Sequence, residues 1–414
     1  MIQSSDSSIY INPHASGYTS HHPPESTPAS QVKSFHHSLP NFNTTPLHNV
    51  PNLASALDLS CLLIKSESSR LNLPAFKILG ASWGTYRALC STLGLNPNPD
   101  TLSWQSLKRR LEAQKDRGKQ YVLFAATDGN HGRAVARMAG ILLPEAQASK
   151  AKIFVPRGMY LTTKALIESE GAEVVTVDGD YDFAVARCYE ECMSLGKQSE
   201  GNEVGVMVQD NAFPGYDVVP RWIVEGYGTM LAEVDEQFRT ILERKNGVDR
   251  NISERPEITH IVTPIGVGSL GHAVVKWAKD ELRKRKVKVI AVEPKTAACL
   301  NVSLRKGESI TIETEDTIMS GMCCGTVSPT SWESLRDGVD CSVTVGDWEC
   351  HETVLELRNE HEIDAGPCGA GCLTGLRKVL RDDQAKKALE FNEHSVVVVL
   401  STEGRREYPV PEKT

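Results

Sequence analysis

Short runs of apolar residues alternate with longer, periodically apolar segments along the chain from about residue 60 onward. The short runs are rich in Val and Ile, which favour β-strands, whereas the longer segments carry apolar residues every three or four positions, which is the pattern of amphipathic helices. The predicted strands are 61–65, 121–126, 152–156, 173–177, 204–208, 260–264, 287–294 and 395–400. The clearest helix patterns are 131–143, 161–170 and 181–196. Alternating strands and helices are typical of parallel βαβ units, so the sequence predicts an α/β fold with doubly wound parallel sheets.

The N-terminal residues differ in composition from the rest of the chain. They are rich in Ser, His, Pro and Asn and lack periodic apolar positions. Such a segment buries too little apolar surface to fold by itself. We therefore expect residues 1–43 to form an extended or partly disordered lead-in that wraps over the body of the protein.

The charge and the cysteine content argue against several classes of function. The chain has a formal net charge of −8, which disfavours nucleic acids and anionic membranes as partners. No apolar stretch approaches the roughly 20 residues of a membrane span, and we expect no secretory signal at the N-terminus. The 11 cysteines include no pair of Cys-x-x-Cys motifs, so we expect reduced thiols in a cytoplasmic protein and no metal site.

Three glycines stand in the spacing Gly-x-Gly-x-x-Gly within PIGVGSLGHAVV (264–275), directly after a predicted strand. The backbone N–H groups of such a loop, at the start of a helix, bind anions. The spacing of Gly266, Gly268 and Gly271 also fits a dinucleotide site, in which Glu293 would bind a ribose hydroxyl. The loop alone is compatible with a nicotinamide cofactor, with another phosphate ligand or with a simple tight turn.

Lys77 lies in an otherwise apolar segment, LNLPAFKILGASWGTY (71–86), in which a helix begins. Most lysines are solvated surface charges. Burial among apolar neighbours, however, lowers the pKa of an amine and frees its lone pair for Schiff-base formation. The surroundings of Lys77 favour a reactive amine over a surface charge.

Two polar segments follow predicted strands, at the edge where open parallel sheets bind ligands. ATDGNHGRAVA (126–136) supplies the side chains of Asp128 and Asn130, and the alternative is that either of them only caps the following helix. LSTEG places the hydroxyls of Ser401 and Thr402 after a very apolar strand, where simple turn chemistry is the alternative. Both segments offer hydrogen-bonding groups to a ligand.

The order of these four segments resembles the fold-type II pyridoxal-phosphate enzymes, the group of the tryptophan synthase β-subunit and threonine dehydratase. More closely, the chain resembles the diaminopropionate ammonia-lyase family over most of its length. LPAFKILG resembles that family's N-A-F-K-x-L-G segment, and TDGNHGR (127–133) matches its loop in full. QDNAFPGYDVVPRWIVEGY (209–227), IMSGMCCG and STEG are similar to three more of its motifs.

The resemblance implies pyridoxal 5′-phosphate as the cofactor, in a fold-type II architecture of two domains with the active site between them. Lys77 would form a Schiff base with this cofactor, and a nicotinamide cofactor is disfavoured because it leaves Lys77 without a function. A neutral hydroxyl at the pyridine nitrogen gives a weaker electron sink than a carboxylate, which suits β-elimination. The other implied cofactor contacts are Asn130 at the ring hydroxyl, the backbone of Gly266, Val267, Gly268 and Ser269 at the phosphate, and Ser401, or alternatively Thr402, at the pyridine nitrogen.

The resemblance also implies the reaction, which is α,β-elimination of 2,3-diaminopropionate to pyruvate and two molecules of ammonia. In this reaction Lys77 would take the α-proton of the L-isomer, Asp128 would serve the D-isomer, and Asp210 would hold the β-ammonium group of the substrate. One alternative is β-elimination or β-replacement on serine, threonine or another β-substituted amino acid. A non-catalytic carrier of the cofactor is disfavoured, because Lys77, Asp128 and Asn130 are all present.

For the domain organisation we expect a large cofactor-binding domain from residues 44–80 and 185–414. A small mobile domain would comprise residues 81–184 and close over the site to exclude water. A homodimer is implied by the resemblance alone.

The chain departs from the family pattern at two places. Arg405, Arg406 and Glu407 follow STEG where the family usually has acidic residues, and residues 364–371 read DAGPCGAG. Both departures leave the cofactor assignment intact and bear on the choice of substrate.

Overall fold

The computed structural model describes residues 7–18, 27–127, 129–145, 147, 150–198, 200–246, 256–280 and 286–413. The chain forms two compact units. The large unit comprises the described residues within Met1–Glu25, Asn43–Phe76 and Met230–Thr414, and the small unit comprises those within Ser26–Phe42 and Lys77–Thr229.

Strands and helices alternate through both units. The strands of the described residues are β1 (Ile9–Ile11), β2 (Leu47–Asn49), β3 (Cys61–Ser66), β4 (Gln120–Ala126), β5 (Ala151–Pro156), β6 (Glu173–Val177), β7 (Glu203–Met207), β8 (His260–Pro264), β9 (Lys288–Pro294), β10 (Cys341–Val345) and β11 (Val396–Ser401). The α-helices are α1 (Ala29–Ser38), α2 (Pro51–Ala56), α3 (Lys77–Thr92), α4 (Trp104–Asp116), α5 (Asn130–Leu142), α6 (Leu161–Glu168), α7 (Tyr181–Gln198), α8 (Val218–Asn246), α9 (Ser269–Ala278), α10 (Cys299–Lys306), α11 (Pro329–Gly338), α12 (Asp347–His361), α13 (Pro367–Arg381) and α14 (Asp383–Ala388). No helix in the described part of the chain is long and apolar enough to span a membrane.

The large unit is built on a seven-stranded sheet with the order β1–β10–β9–β8–β11–β3–β2. The five inner strands are parallel, and the edge strands β1 and β2 are antiparallel to their neighbours. Every residue of β3, β8, β10 and β11 is buried, which explains the apolar runs of β3 and β11. Helix α13 packs against β8 to β11, and α9 packs against β8 and β9.

The small unit is built on four parallel strands with the order β6–β5–β4–β7. Helix α7 packs on β4, β5 and β7, and its apolar side chains share a core with Phe124 and Phe154 of the sheet. Helix α1 also belongs to this unit. Its Phe35 packs against Trp83 and Tyr86 of α3, with ring centroids 5.2 and 4.7 Å away.

The predicted α/β class is confirmed. The eight predicted strands correspond to β3 to β9 and β11, with ends displaced by at most one residue. The pattern does not predict β1, β2 and β10. The first two are edge strands of three residues, which is too short for a periodic signal.

The described N-terminal residues include regular elements that the expectation of an extended or partly disordered lead-in does not contain. Strand β1 pairs with β10 at the edge of the large sheet, and α1 packs on α3 in the small unit. A few apolar side chains suffice for this, because Ile9, Val32 and Phe35 are each at most 2% exposed.

The boundaries of the compact units also differ from the expected domain boundaries at residues 81 and 184. Apart from Ser26–Phe42, which contains α1, the small unit begins at Lys77 and ends at Thr229. The physical reason is the pairing of β7 with β4, because the chain cannot leave the small sheet before its fourth strand is complete.

Candidate active site

The small sheet changes direction at β4, with β5 and β6 on one side and β7 on the other. Open parallel sheets bind ligands at such a point, beyond the carboxyl ends of the two strands. The segments that leave these ends are 127–130 after β4 and 208–210 after β7. They carry two of the predicted site residues, Asn130 and Asp210.

Lys77 and Asp210 form an ion pair in the small unit. Lys77 is the first residue of α3, and its Nζ donates to Oδ2 of Asp210 over 2.5 Å. The lysine side chain is 20% exposed and the aspartate side chain 4% exposed. The structure therefore brings together the amine predicted to bind the cofactor and the carboxylate predicted to hold the substrate.

The carboxyl group of Asp210 is a permanent negative charge at neutral pH. Burial by itself would raise its pKa, but attraction to the ammonium of Lys77 and the hydrogen bond from Lys77 outweigh burial and lower the pKa to about 2. A buried, fixed anion of this kind suits a ligand that carries an ammonium group.

His131, in the first turn of α5, is the second group beside Asp210, and the sequence alone does not predict a function for it. Its Nε2 lies 2.8 Å from the carbonyl oxygen of Val208, and its Nδ1 lies 3.9 Å from Oδ2 of Asp210. Because a carbonyl can only accept, Nε2 carries the proton of the neutral ring. Burial lowers the pKa of His131. The feature of the sequence that could have indicated a role for His131 is its position in the TDGNHGR motif.

Gln209 fixes the segment that carries Asp210, and the sequence alone does not predict this function either. Its side-chain Oε1 accepts from the N–H of Ala126 at the end of β4, and its Nε2 donates to the hydroxyl of Tyr181, over 2.9 and 2.7 Å. Its backbone N–H donates to the hydroxyl of Tyr216 over 2.9 Å. Gln209 therefore ties together the ends of β4 and β7.

Thr127 supplies a capping oxygen for α5, which is the function that the alternative interpretation gave to Asp128 or Asn130. Its Oγ1 accepts from the N–H groups of Gly129 and Gly132 over 2.9 and 3.0 Å. Asn130 is the first residue of α5. Asp128 lies outside the described residues.

The large sheet changes direction at β8, with β9 and β10 on one side and β11 and β3 on the other. The glycine loop leaves the end of β8, and Ser401 ends β11. Because Val399 pairs with Val262, these two strand ends are neighbours. The glycine loop, which is expected to bind the phosphate, and Ser401, which is expected to contact the pyridine nitrogen, therefore both lie at the carboxyl ends of the strands of the large sheet.

The glycine loop adopts a conformation that needs its glycines. Gly268 has a φ of 94° and occupies the N-cap position of α9. A Cβ on Gly268 would lie 2.7 Å from Cδ1 of Leu335, and one on Gly266 would lie 3.0 Å from the carbonyl oxygen of Gly321. The start of α9, formed by the loop and by Ser269, offers backbone N–H groups to an anion.

Glu293 is not available for a ribose hydroxyl. Its two carboxylate oxygens accept from the backbone N–H groups of Leu300 and Asn301, at the start of α10, over 2.7 and 2.8 Å. The side chain is fully buried, and burial raises its pKa to about 7. Glu293 caps a helix, so the dinucleotide interpretation loses its acidic residue.

Ser401 has a buried hydroxyl that could form a hydrogen bond with a ligand. The residue is 1% exposed, and its Oγ has no hydrogen-bond partner among the described residues. Leaving such a group unpaired costs about 1–3 kcal/mol. Gly369 provides the space beside it, since a Cβ there would lie 2.6 Å from this oxygen.

Thr402, the alternative to Ser401, is joined to the lysine segment through its backbone. Its carbonyl oxygen accepts from the N–H of Phe76 over 3.2 Å, and Ala75 forms a β-bridge with Glu403. Phe76 directly precedes Lys77 in the chain. The end of β11 therefore holds the segment from which Lys77 emerges.

These features fit pyridoxal phosphate. The glycine loop offers N–H groups to a phosphate, and the unpaired hydroxyl of Ser401 offers a partner to an aromatic nitrogen. Lys77 offers the primary amine that an aldehyde needs. The phosphate, the pyridine nitrogen and the aldehyde of the cofactor thus each have a chemically matched group in the chain.

The two departures from the family pattern are in contact with each other in the large unit. The N–H of Gly366 donates to the carbonyl oxygen of Glu403 over 2.9 Å. Arg406 donates from Nε to the carboxylate of Glu403 over 3.2 Å and from Nη2 to the carbonyl oxygen of Ile318. The two departures from the family pattern are therefore connected through Glu403, just after β11.

Comparison with known proteins agrees with the geometry. The family described as "Pyridoxal-phosphate dependent enzyme" matches residues 39–403. The diaminopropionate ammonia-lyase of Salmonella typhimurium is 31% identical over 385 residues, which is 90% of this chain and 88% of that protein. The crystal structure of the Escherichia coli diaminopropionate ammonia-lyase in complex with D-serine has a TM-score of 0.78 and 30% identity, and covers 96% of this chain and 93% of that one.

A more distant relative has a different activity. An L-serine dehydratase of Saccharomyces cerevisiae is 24% identical over 301 residues, which is 72% of this chain and 80% of that protein.

Proposed function

The chain belongs to the family of pyridoxal-phosphate dependent enzymes, and from this premise we propose that it catalyses the α,β-elimination of 2,3-diaminopropionate to pyruvate and two molecules of ammonia. Pyridoxal 5′-phosphate is its cofactor, and its reaction class is that of a carbon–nitrogen lyase. The relatives that match nine-tenths of the chain and are named diaminopropionate ammonia-lyase support this choice.

The observation that carries the proposal is the buried charge of Asp210. In the structure this carboxylate binds the ammonium of Lys77 over 2.5 Å. A 2,3-diamino acid brings a second ammonium group, on its β-carbon, which can take the same position. The side chain of serine carries no charge there, and a buried carboxylate without a cation is costly.

We assign the cofactor contacts as the resemblance to the family implies them. When bound, the cofactor supplies the electron sink that makes the α-proton of an amino acid acidic. Lys77 holds the cofactor through its amine, and Asn130 bonds its ring hydroxyl. The phosphate is held by the backbone of Gly266, Val267, Gly268 and Ser269, and the pyridine nitrogen by Ser401, with Thr402 as the neighbouring alternative.

We assign the proton transfers to three ionisable groups. The amine of Lys77, once exchanged by the substrate, takes the α-proton of the L-isomer at Nζ. Asp210 holds the β-ammonium, so that this group leaves as ammonia from its protonated form. Asp128 serves the D-isomer, as the resemblance to the ammonia-lyase family implies.

Elimination or replacement on serine, threonine or another β-substituted amino acid is the alternative, and the L-serine dehydratase relative favours it. That relative covers less of the chain at lower identity, and its substrate gives Asp210 no partner. The amount of ammonia distinguishes the two reactions. We expect two molecules of ammonia per pyruvate from 2,3-diaminopropionate and negligible pyruvate from L-serine under the same conditions. Rapid pyruvate formation from serine alone would favour the alternative.

We also propose that the protein is a cytoplasmic homodimer that acts on a small amino acid. All 11 cysteines are free, and ten of them are buried, which suits a reducing compartment. The dimer rests on the family resemblance. Light scattering of the purified protein tests it, and a mass close to that of one chain, 45.4 kDa, would contradict it.

A further inference from the structure

His131 is a buried titratable group to which the proposed reaction gives no task. Its ring is 4% exposed, and its orientation is fixed by the bond between Nε2 and the carbonyl oxygen of Val208. Its Nδ1 has no hydrogen-bond partner among the described residues. The neutral ring therefore turns an unprotonated nitrogen towards Asp210.

Two charged groups of the described chain act on this ring. Asp210, on the segment after β7, lies 3.9 Å from Nδ1 and favours its protonation. Lys77, on α3, opposes protonation through its own positive charge. The same carboxylate oxygen, Oδ2 of Asp210, lies 2.5 Å from Nζ of Lys77. One oxygen therefore faces both bases.

We propose that His131 is a positioning residue that accepts a proton on Nδ1 whenever the amine of Lys77 is neutral. The N–H bond at Nζ of Lys77 breaks and an N–H bond at Nδ1 of His131 forms, so the total charge of the three groups does not change. Asp210 then keeps a cation beside it in both states.

The exchange solves a problem that arises before the substrate binds, and in this respect it rests on the proposed function. Lys77 must be neutral to bond to the aldehyde of the cofactor, yet at that stage no β-ammonium group of a substrate faces Asp210. A proton stored on His131 balances the carboxylate while Lys77 is a free base.

Nuclear magnetic resonance of the cofactor-free protein with ¹⁵N-labelled histidine tests this proposal. The signal of His131 is identified by its loss in His131→Gln. In the wild type we expect the proton on Nε2 and a pKa below the ordinary value for histidine. In Lys77→Met the ammonium is absent, and the pKa of His131 should rise by at least about one unit because the opposing charge is gone.

Two further variants separate charge from packing. Lys77→Arg keeps a cation and should leave the pKa of His131 low. Lys77→Met/Asp210→Asn removes the carboxylate and should cancel the rise. An unchanged pKa in Lys77→Met, or a rise that persists in the double variant, would overturn the proposal. Lys77→Gln provides the same test if Lys77→Met does not fold.

His36 is the matched internal control. It is also fully buried in the small unit, with Nε2 2.9 Å from the carbonyl oxygen of Leu79, but its Nδ1 is paired with the hydroxyl of Thr229 over 2.7 Å. Its signal should not respond to these variants. The titration requires no turnover, so its failure would leave the lyase proposal standing, and an inactive protein could still show the exchange.

Discussion

At the scale of single residues, the proposed function depends on one buried carboxylate, Asp210, to separate a diamino acid from a hydroxy amino acid. The pKa of Asp210 is about 2, so Asp210→Asn removes a full charge while it keeps the shape of the side chain. We expect kcat/KM for 2,3-diaminopropionate to fall about 10- to 100-fold, as for the loss of a charge-assisted hydrogen bond. The value for L-serine should change much less. Steady-state kinetics with both substrates measure the difference.

Asp217→Asn is the control for this variant. Asp217 lies on the following segment, is 54% exposed and pairs only loosely with Arg221, over 3.4 Å. Its substitution should leave both activities unchanged. Equal losses for the two substrates in Asp210→Asn would show that this carboxylate does not select the diamine.

The hydroxyl of Ser401 should stabilise the bound cofactor and not the fold. Because its buried Oγ has no partner among the described residues, Ser401→Ala should raise the unfolding free energy of the cofactor-free protein by about 1–3 kcal/mol. The stabilisation gained on adding pyridoxal phosphate should shrink by about 1.4 kcal/mol, which corresponds to tenfold weaker binding. Urea unfolding with and without cofactor measures both quantities.

Ser395, just before the same strand, gives the opposite expectation. Its Oγ accepts from the N–H of Asn392 over 3.0 Å. Ser395→Ala should therefore cost the cofactor-free protein about 1 kcal/mol and leave the gain from cofactor unchanged. The account of Ser401 fails if Ser401→Ala behaves like Ser395→Ala.

At the scale of elements, the turn between β8 and α9 is the part most sensitive to substitution. Gly268 and Gly307 both have positive φ, 94° and 77°. A Cβ on Gly268 would overlap Leu335, whereas Gly307 has open space. Gly307→Ala should cost about 1 kcal/mol of strain, while Gly268→Ala should cost more and weaken cofactor binding at least about tenfold. Fluorescence titration with pyridoxal phosphate compares them, and equal affinities would contradict a phosphate site at this turn.

The contribution of Glu293, which caps α10, to the free energy of unfolding should depend on pH. Burial raises the pKa of Glu293 from 4.5 to about 7, so the folded protein keeps a proton that the unfolded chain loses between these pH values. The stability contributed by this proton is complete below pH 4.5 and is lost as the pH rises through 7. Relative to wild type, Glu293→Gln should gain about 1–3 kcal/mol in unfolding free energy between pH 5 and pH 8. Urea unfolding at both pH values measures this, and a constant difference would contradict it.

Strands and helices that are specified by their own residues could be predicted from the sequence, whereas those that depend on pairing with distant residues could not. Strands such as β8 and β11 carry long apolar runs because both faces are buried. Strand β1 exists because Ile9 finds a partner in Val343, more than 300 residues away. Lys77 and Asp210 were found through motifs. The bond from Gln209 to Ala126 and the contact of His131 with Asp210 required the fold, because they join the ends of separate strands.

At the scale of the whole molecule, the assigned residues come from both units. The small unit supplies Lys77, Asn130 and Asp210, and the large unit supplies the glycine loop and Ser401. Asn130 and Asp210 follow strands at the point where the strand order of the small sheet reverses, and the glycine loop and Ser401 lie at the corresponding point of the large sheet. Lys77 begins α3. The proposed reaction therefore requires both units, and neither unit alone carries every group that the cofactor and the substrate need.

The central claim is that a lysine-bound cofactor and a buried carboxylate together eliminate ammonia from a diamino acid. The most direct test is the rate of pyruvate release from L-2,3-diaminopropionate by the cofactor-loaded protein, with L-serine in parallel and Lys77→Ala as the control. We predict that kcat/KM for the diamine exceeds that for serine by at least about tenfold and that Lys77→Ala releases no pyruvate. A protein that holds its cofactor and releases no pyruvate from the diamine would contradict the claim.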